Sequence, residues 1–92
     1  MTRTEYKAYL RKVQKLQVLA YEHGLDFSFG TRDAETTEGW MTGDVYPEGI
    51  DFTKTEMGKD FICFSFYHFL PVKDWDAELA RVEKWILEHS QR

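Results

Sequence analysis

Apolar residues recur along the first 24 positions with the period of a helix. Tyr6, Tyr9, Leu10, Val13, Leu16 and Ala20 share one face at about 100° per residue. Thr2 followed by Glu5 fits a capping box and places the start near Thr2 or Thr4. His23 falls in the last turn, and Gly24 supplies the left-handed residue that stops the helix. Arg3, Lys7, Arg11 and Lys15 recur every fourth residue and form a basic stripe on another face.

The period then changes to two. Leu25, Phe27 and Phe29 alternate with Asp26 and Ser28, as in a half-buried strand. Residues 30–39 contain no large apolar side chain and read as an acidic loop. A second strand is predicted over 40–45, with a type I turn at Tyr46-Pro47-Glu48-Gly49. Ile50 and Phe52 predict a third short strand, and Met57-Gly58 a tight turn. Residues 61–69 (FICFSFYHF) form the strongest strand signal, apolar on both phases and so expected at the centre of the sheet or covered on part of its second face. Pro71 ends it, and Asp74 is expected to cap a last helix carrying Trp75, Leu79, Val82 and Ile86 on one face.

The order is α-β-β-β-(β)-α. Short connections imply an antiparallel meander of three or four strands, and each helix has one apolar face to bury. The expected fold is a two-layer α+β domain spanning residues 1–92, with the N- and C-terminal helices packed on one face of the sheet. Ninety-two residues make a thin core, and seven Phe, five Tyr and three Trp compensate because each ring buries a large area.

Charge changes the picture more than composition does. The net charge is −4, distributed as +3 over residues 1–24, −6 over 25–60 and −1 over 61–92. Cys63 is the sole cysteine, so no internal disulfide forms. No apolar run reaches the roughly 20 residues of a membrane span, and the first residues lack a signal-peptide pattern, which predicts a cytoplasmic protein.

The chemistry-bearing residues do not assemble into a motif. His23, His68, His89 and Cys63 lack metal-ligand spacing, and the acids at 33–38 lack the EF-hand pattern, so no metal or cofactor is expected. Cys63 lies among phenylalanines and is expected to be buried, with a raised pKa and little reactivity. His68 would act as a general base only in a pocket with Asp60 or Asp44, which leaves a small enzyme or ligand-binding domain as an alternative. The helical stripe Arg3, Lys7, Arg11 and Lys15 offers another, an accessory protein touching nucleic acid. The strand and helix order invites comparison with double-stranded RNA-binding domains, but Asp74, Asp76 and Glu78 open the last helix and would repel phosphate.

The leading expectation is a non-enzymatic protein-binding domain. Asp33, Glu35, Glu38, Asp44, Glu48 and Asp51 would supply charge, with Trp40 and Tyr46 as aromatic anchors. Its partner would be a larger basic protein, such as a nuclease, which the domain inhibits or regulates. In size and acidity the chain resembles phage-encoded anti-CRISPR proteins and toxin-neutralising immunity proteins. The apolar groups on both phases of 61–69 also suit a homodimer through the open sheet face.

Overall fold

Two reciprocal hydrogen bonds start the chain. In the computed structural model, which describes residues 2–32 and 39–92, the Thr2 hydroxyl accepts from the Glu5 N–H at 3.1 Å. The Glu5 carboxylate accepts from the Thr2 N–H at 3.0 Å. This capping box satisfies two donors that the helix cannot pair internally. Helix α1 then runs Arg3–Glu22 and buries Tyr6, Tyr9, Val13, Leu16 and Ala20. Gly24, at φ 77, turns the chain out of it.

Three strands follow, β1 (Leu25–Arg32), β2 (Trp40–Pro47) and β3 (Ile62–Tyr67), then helix α2 (Val72–Glu88). They form an antiparallel sheet in the order β1-β2-β3. Strands β1 and β2 run past their predicted ends, while β3 stops at Tyr67 instead of Phe69. The strand expected at Ile50–Phe52 does not form. Asp51 there accepts from the Thr53 N–H at 3.0 Å and the Thr53 hydroxyl at 2.6 Å, closing a 3-10 turn over Phe52–Lys54. A short side chain that bonds the main chain two residues on competes directly with a strand ladder. Helix α2 also starts earlier than expected. Pro71 occupies its N-cap position with no side-chain bond, and Asp74 lies in the first turn, where its charge suits the helix dipole.

Both helices pack on one face of the sheet. Leu25, Phe27, Met41, Val45, Ile62, Phe64 and Phe66 point into that layer and join α1 and α2 in one core. Trp75 is its centre: fully buried, it meets Tyr6 and Tyr9 edge-on at 6.1 and 5.3 Å and lies 5.1 Å from Phe66. Gly43 sits between Phe29 and Phe64 in the sheet register. A Cβ there would collide with the Ser28 carbonyl and stand 2.7 Å from the Phe29 Cβ, so only glycine allows this close strand approach.

Helix α2 also closes one edge of the sheet. Trp75 Nε1 donates to the Tyr67 carbonyl at 3.0 Å, Glu78 accepts from the Ser65 N–H at 3.1 Å, and Arg81 donates to the Cys63 carbonyl at 2.7 Å. Residues spaced i, i+3, i+6 on one helix face thus answer successive outward groups of β3. An edge treated this way cannot template another strand.

Candidate functional site

Alternation along the strands leaves a second face pointing away from the helices. It carries Asp26, Ser28 and Gly30 from β1, Trp40, Thr42, Asp44 and Tyr46 from β2, and Cys63, Ser65 and Tyr67 from β3. The register arranges these in rows. Ser28, Asp44 and Cys63 form a polar waist, with Trp40 and Tyr67 adjacent toward one end and Tyr46 toward the other.

Each end is aromatic, but the two ends differ in what covers them. At one, the loop after β2 folds back so that Tyr46 meets Phe52 edge-on at 5.2 Å, and Phe52 meets Phe61 at 4.9 Å. At the other, Tyr67 and Phe69 stack at 5.5 Å with planes 18° apart, and remain 39% and 69% exposed. The half-buried Trp40 indole lies across Gly30, 3.9 Å from where a Cβ would stand. Its carbonyl accepts from the Tyr6 hydroxyl at 3.2 Å, which ties this end of the sheet to α1.

The waist consists of short polar contacts. The Cys63 thiol donates to the Asp44 carboxylate at 2.9 Å, and the Ser28 and Tyr46 hydroxyls lie 2.9 Å apart. Cys63 is exposed, against the expectation of a buried thiol, because it falls on the phase of β3 opposite Ile62, Phe64 and Phe66. Its pKa is nevertheless pushed up to about 11. The bond to the Asp44 carboxylate is the main cause, partial burial and that negative charge add to it, and the Arg81 charge opposes it.

The residues expected to bind a partner are only partly brought together. Trp40, Asp44 and Tyr46 share the outer face, while Glu48 is exposed on the turn beyond it. Asp51 caps the 3-10 turn and stands 4.0 Å from Lys54, and its two bonds from Thr53 hold its carboxyl below the usual range. Asp33, Glu35 and Glu38 lie outside the described residues.

No known protein family, curated protein or solved structure matches the chain. The site therefore rests on its own geometry. The exposed stack of Tyr67 on Phe69 is not singled out by sequence reasoning, although Tyr67 is legible as an aromatic on the phase of β3 that otherwise carries Cys63 and Ser65.

The other candidates are dispersed. Arg3, Lys7, Arg11 and Lys15 are all exposed on α1, in the layer opposite the outer sheet face. His68 is half-buried just past β3, where its main-chain N–H donates to the Gly39 carbonyl at 2.7 Å. Of the acids expected to serve it, Asp44 is engaged by Cys63, and Asp60 accepts from the Glu56 N–H at 2.9 Å. A cleft of about 360 Å³ between α1 and α2, and one of about 270 Å³ beside the end of α2, are both lined without His68. Among the described residues, no three or more His, Cys, Asp or Glu converge to hold a metal ion, and no helix is long and apolar enough to cross a membrane.

Proposed function

We propose that the chain is a non-enzymatic binding domain that docks the outer face of its sheet on a larger basic protein, and so inhibits or regulates it. The observation that carries this reading is the stacked Tyr67–Phe69 pair beside Trp40, exposed on a face that neither helix covers. Aromatic rings supply much of the binding energy of protein interfaces from small central clusters. Tyr67 is the last residue of β3 and Phe69 lies in the turn after it, so the two rings are already stacked before any partner buries them.

The acidic residues supply direction. Asp26 and Asp44 stand on this face, Glu48 is on the adjoining turn, and residues 25–60 carry −6 overall. Such charge speeds encounter with a positive surface and discriminates against acidic ones more than it adds affinity. A protein that handles nucleic acid offers that surface, since its phosphate-binding groove is lined by Lys and Arg.

Capture from a lysate of the native cells tests this, comparing the wild type with a Tyr67→Ala, Phe69→Ala double variant. Both side chains are exposed, so folding stability should change by less than about 1 kcal/mol. The wild type should retain one stoichiometric protein that the variant loses. Equal capture by both would remove the outer face from the interaction.

A further inference from the structure

The two edges of the sheet are treated differently. Along β3, one outward group of each of three residues is bonded by α2: the Cys63 carbonyl by Arg81, the Ser65 N–H by Glu78 and the Tyr67 carbonyl by Trp75. This fixes the phase of the whole sheet. Residues 62, 64 and 66 bond β2, so residues 40, 42, 44 and 46 of β2 bond β1, and the odd-numbered residues of β1 turn their N–H and C=O outward.

At that edge α1 answers one carbonyl. Gln17 Nε2 and the Tyr21 hydroxyl both donate to the Phe27 oxygen, at 3.0 and 3.2 Å. The helix then crosses inward, since Tyr6 reaches the carbonyl of Trp40 on the central strand. Among the described residues, no group pairs with the outward N–H and C=O of Phe29 and Thr31. Unpaired strand edges are templates for another chain.

We infer that a second copy of this chain fills the gap, with the two β1 strands antiparallel about a two-fold axis at Gly30. The open stretch is self-complementary. Phe29 of one copy would exchange both main-chain bonds with Thr31 of the partner subunit, and Thr31 would do the same with the partner's Phe29. That makes four bonds and leaves Phe27 to its helical donors. Gly30 falls opposite the partner's Gly30 as a non-hydrogen-bonded pair, the closer of the two spacings, and it has no side chain to obstruct approach.

Charge favours the same arrangement. Helix α1 runs antiparallel to β1, because Tyr21 lies over Phe27 while Tyr6 lies over Trp40, whose register partner is Arg32. Two-fold pairing therefore sets the Lys7 and Arg11 half of one α1 toward the C-terminal end of the other, where Glu22 and the helix's partial negative charge lie, with Arg92 beside Gly24 at the same end. Leu10, on the same side of α1 as Gln17 and Tyr21, and Phe29 are the half-buried rim of the core at this edge, and both would be covered. The contact is self-matching, as a two-fold interface requires. It is also small, so dissociation constants in the range of roughly 1–100 µM are expected.

Sedimentation equilibrium from about 1 µM to 1 mM tests it, across the affinities expected of a small interface. The wild type should climb from 11.0 kDa toward twice that mass. Gly30→Lys places like charges across the axis, while the Trp40 ring at 3.9 Å leaves room for its Cβ in the single copy. Thr31→Pro removes an outward N–H that the isolated fold does not use. Both variants should keep their circular dichroism and remain at the single-chain mass. In the wild type alone, amide exchange at Phe29 and Thr31 should slow as concentration rises. A wild type that stays monomeric throughout, exchange rates indifferent to concentration, or variants that dimerise undiminished would each overturn the inference. None of these results touches the docking proposal, which uses the outer face and not the edge.

Discussion

The Cys63 thiol donates to the Asp44 carboxylate at 2.9 Å while standing exposed on β3. Proximity to that carboxylate penalises the thiolate, which is the reactive form, so exposure does not translate into reactivity. With the pKa raised from 9.0 to about 11, alkylation by iodoacetamide at pH 8 should be slow. Asp44→Asn removes the negative charge and should accelerate it by about tenfold, one pKa unit. An unchanged rate would mean that partial burial, not Asp44, restrains the sulfur. The phase of Cys63 was legible in the alternation of Ile62, Phe64 and Phe66. What hid it was Phe61 and Phe69, which make the run look apolar on both phases. Asp44 as its partner was not legible, because the register that pairs residues 44 and 63 arises only when the strands associate.

At the scale of elements, Glu78 and Arg81 look like ordinary surface charges of an amphipathic helix. In the fold they are main-chain partners of β3, and they also bond each other at 2.6 Å. Burial raises the Glu78 carboxyl, but the Arg81 guanidinium and the Ser65 N–H outweigh it and hold the group below its ordinary 4.5. A depressed acid contributes stability above its unfolded value and loses it as pH falls through the folded value. Glu78→Gln should therefore melt lower than the wild type at pH 7 and approach it near pH 3. The expected deficit at pH 7 is about 1–3 kcal/mol, since Ser65 and Arg81 both lose a charged partner. Parallel melting curves at the two pH values would show that the carboxylate is not what closes the edge. The strand expected at Ile50–Phe52 went wrong at this same scale, because Asp51 offered the backbone a local bond that outcompeted a distant ladder.

Across the whole molecule, Tyr9 links the two helices. Its hydroxyl donates to Asp76 at 2.6 Å while its ring packs on Trp75. Burial first, then the bond and charge of Asp76, push its pKa from 10.0 up to about 12. The unfolded chain releases this proton near pH 10 and the folded one near 12, so stability is intact below pH 10 and falls between the two values. Tyr9→Phe should flatten that alkaline decline while lowering stability at neutral pH through loss of the bond to Asp76. Denaturant titrations at pH 8, 10 and 11.5 would measure both effects, and an equally steep decline in Tyr9→Phe would assign the alkaline loss to other groups.

The sequence by itself determined both helices, their buried stripes, the capping box and the meander, because periodicity, caps and turn residues act over a few neighbours. It also determined the uneven charge, with a basic first helix and an acidic centre. Only the tertiary structure decided that both helices pack on one face of the sheet and that Tyr67 and Phe69 stand exposed beside the other. It alone decided that Asp44 is taken up by Cys63, that α2 bonds main-chain groups along the β3 edge, and that at the β1 edge α1 bonds only the Phe27 carbonyl among the described residues. Those outcomes depend on strand register and on where each helix crosses the sheet, both set by packing around Trp75 and Gly43 rather than by local preference.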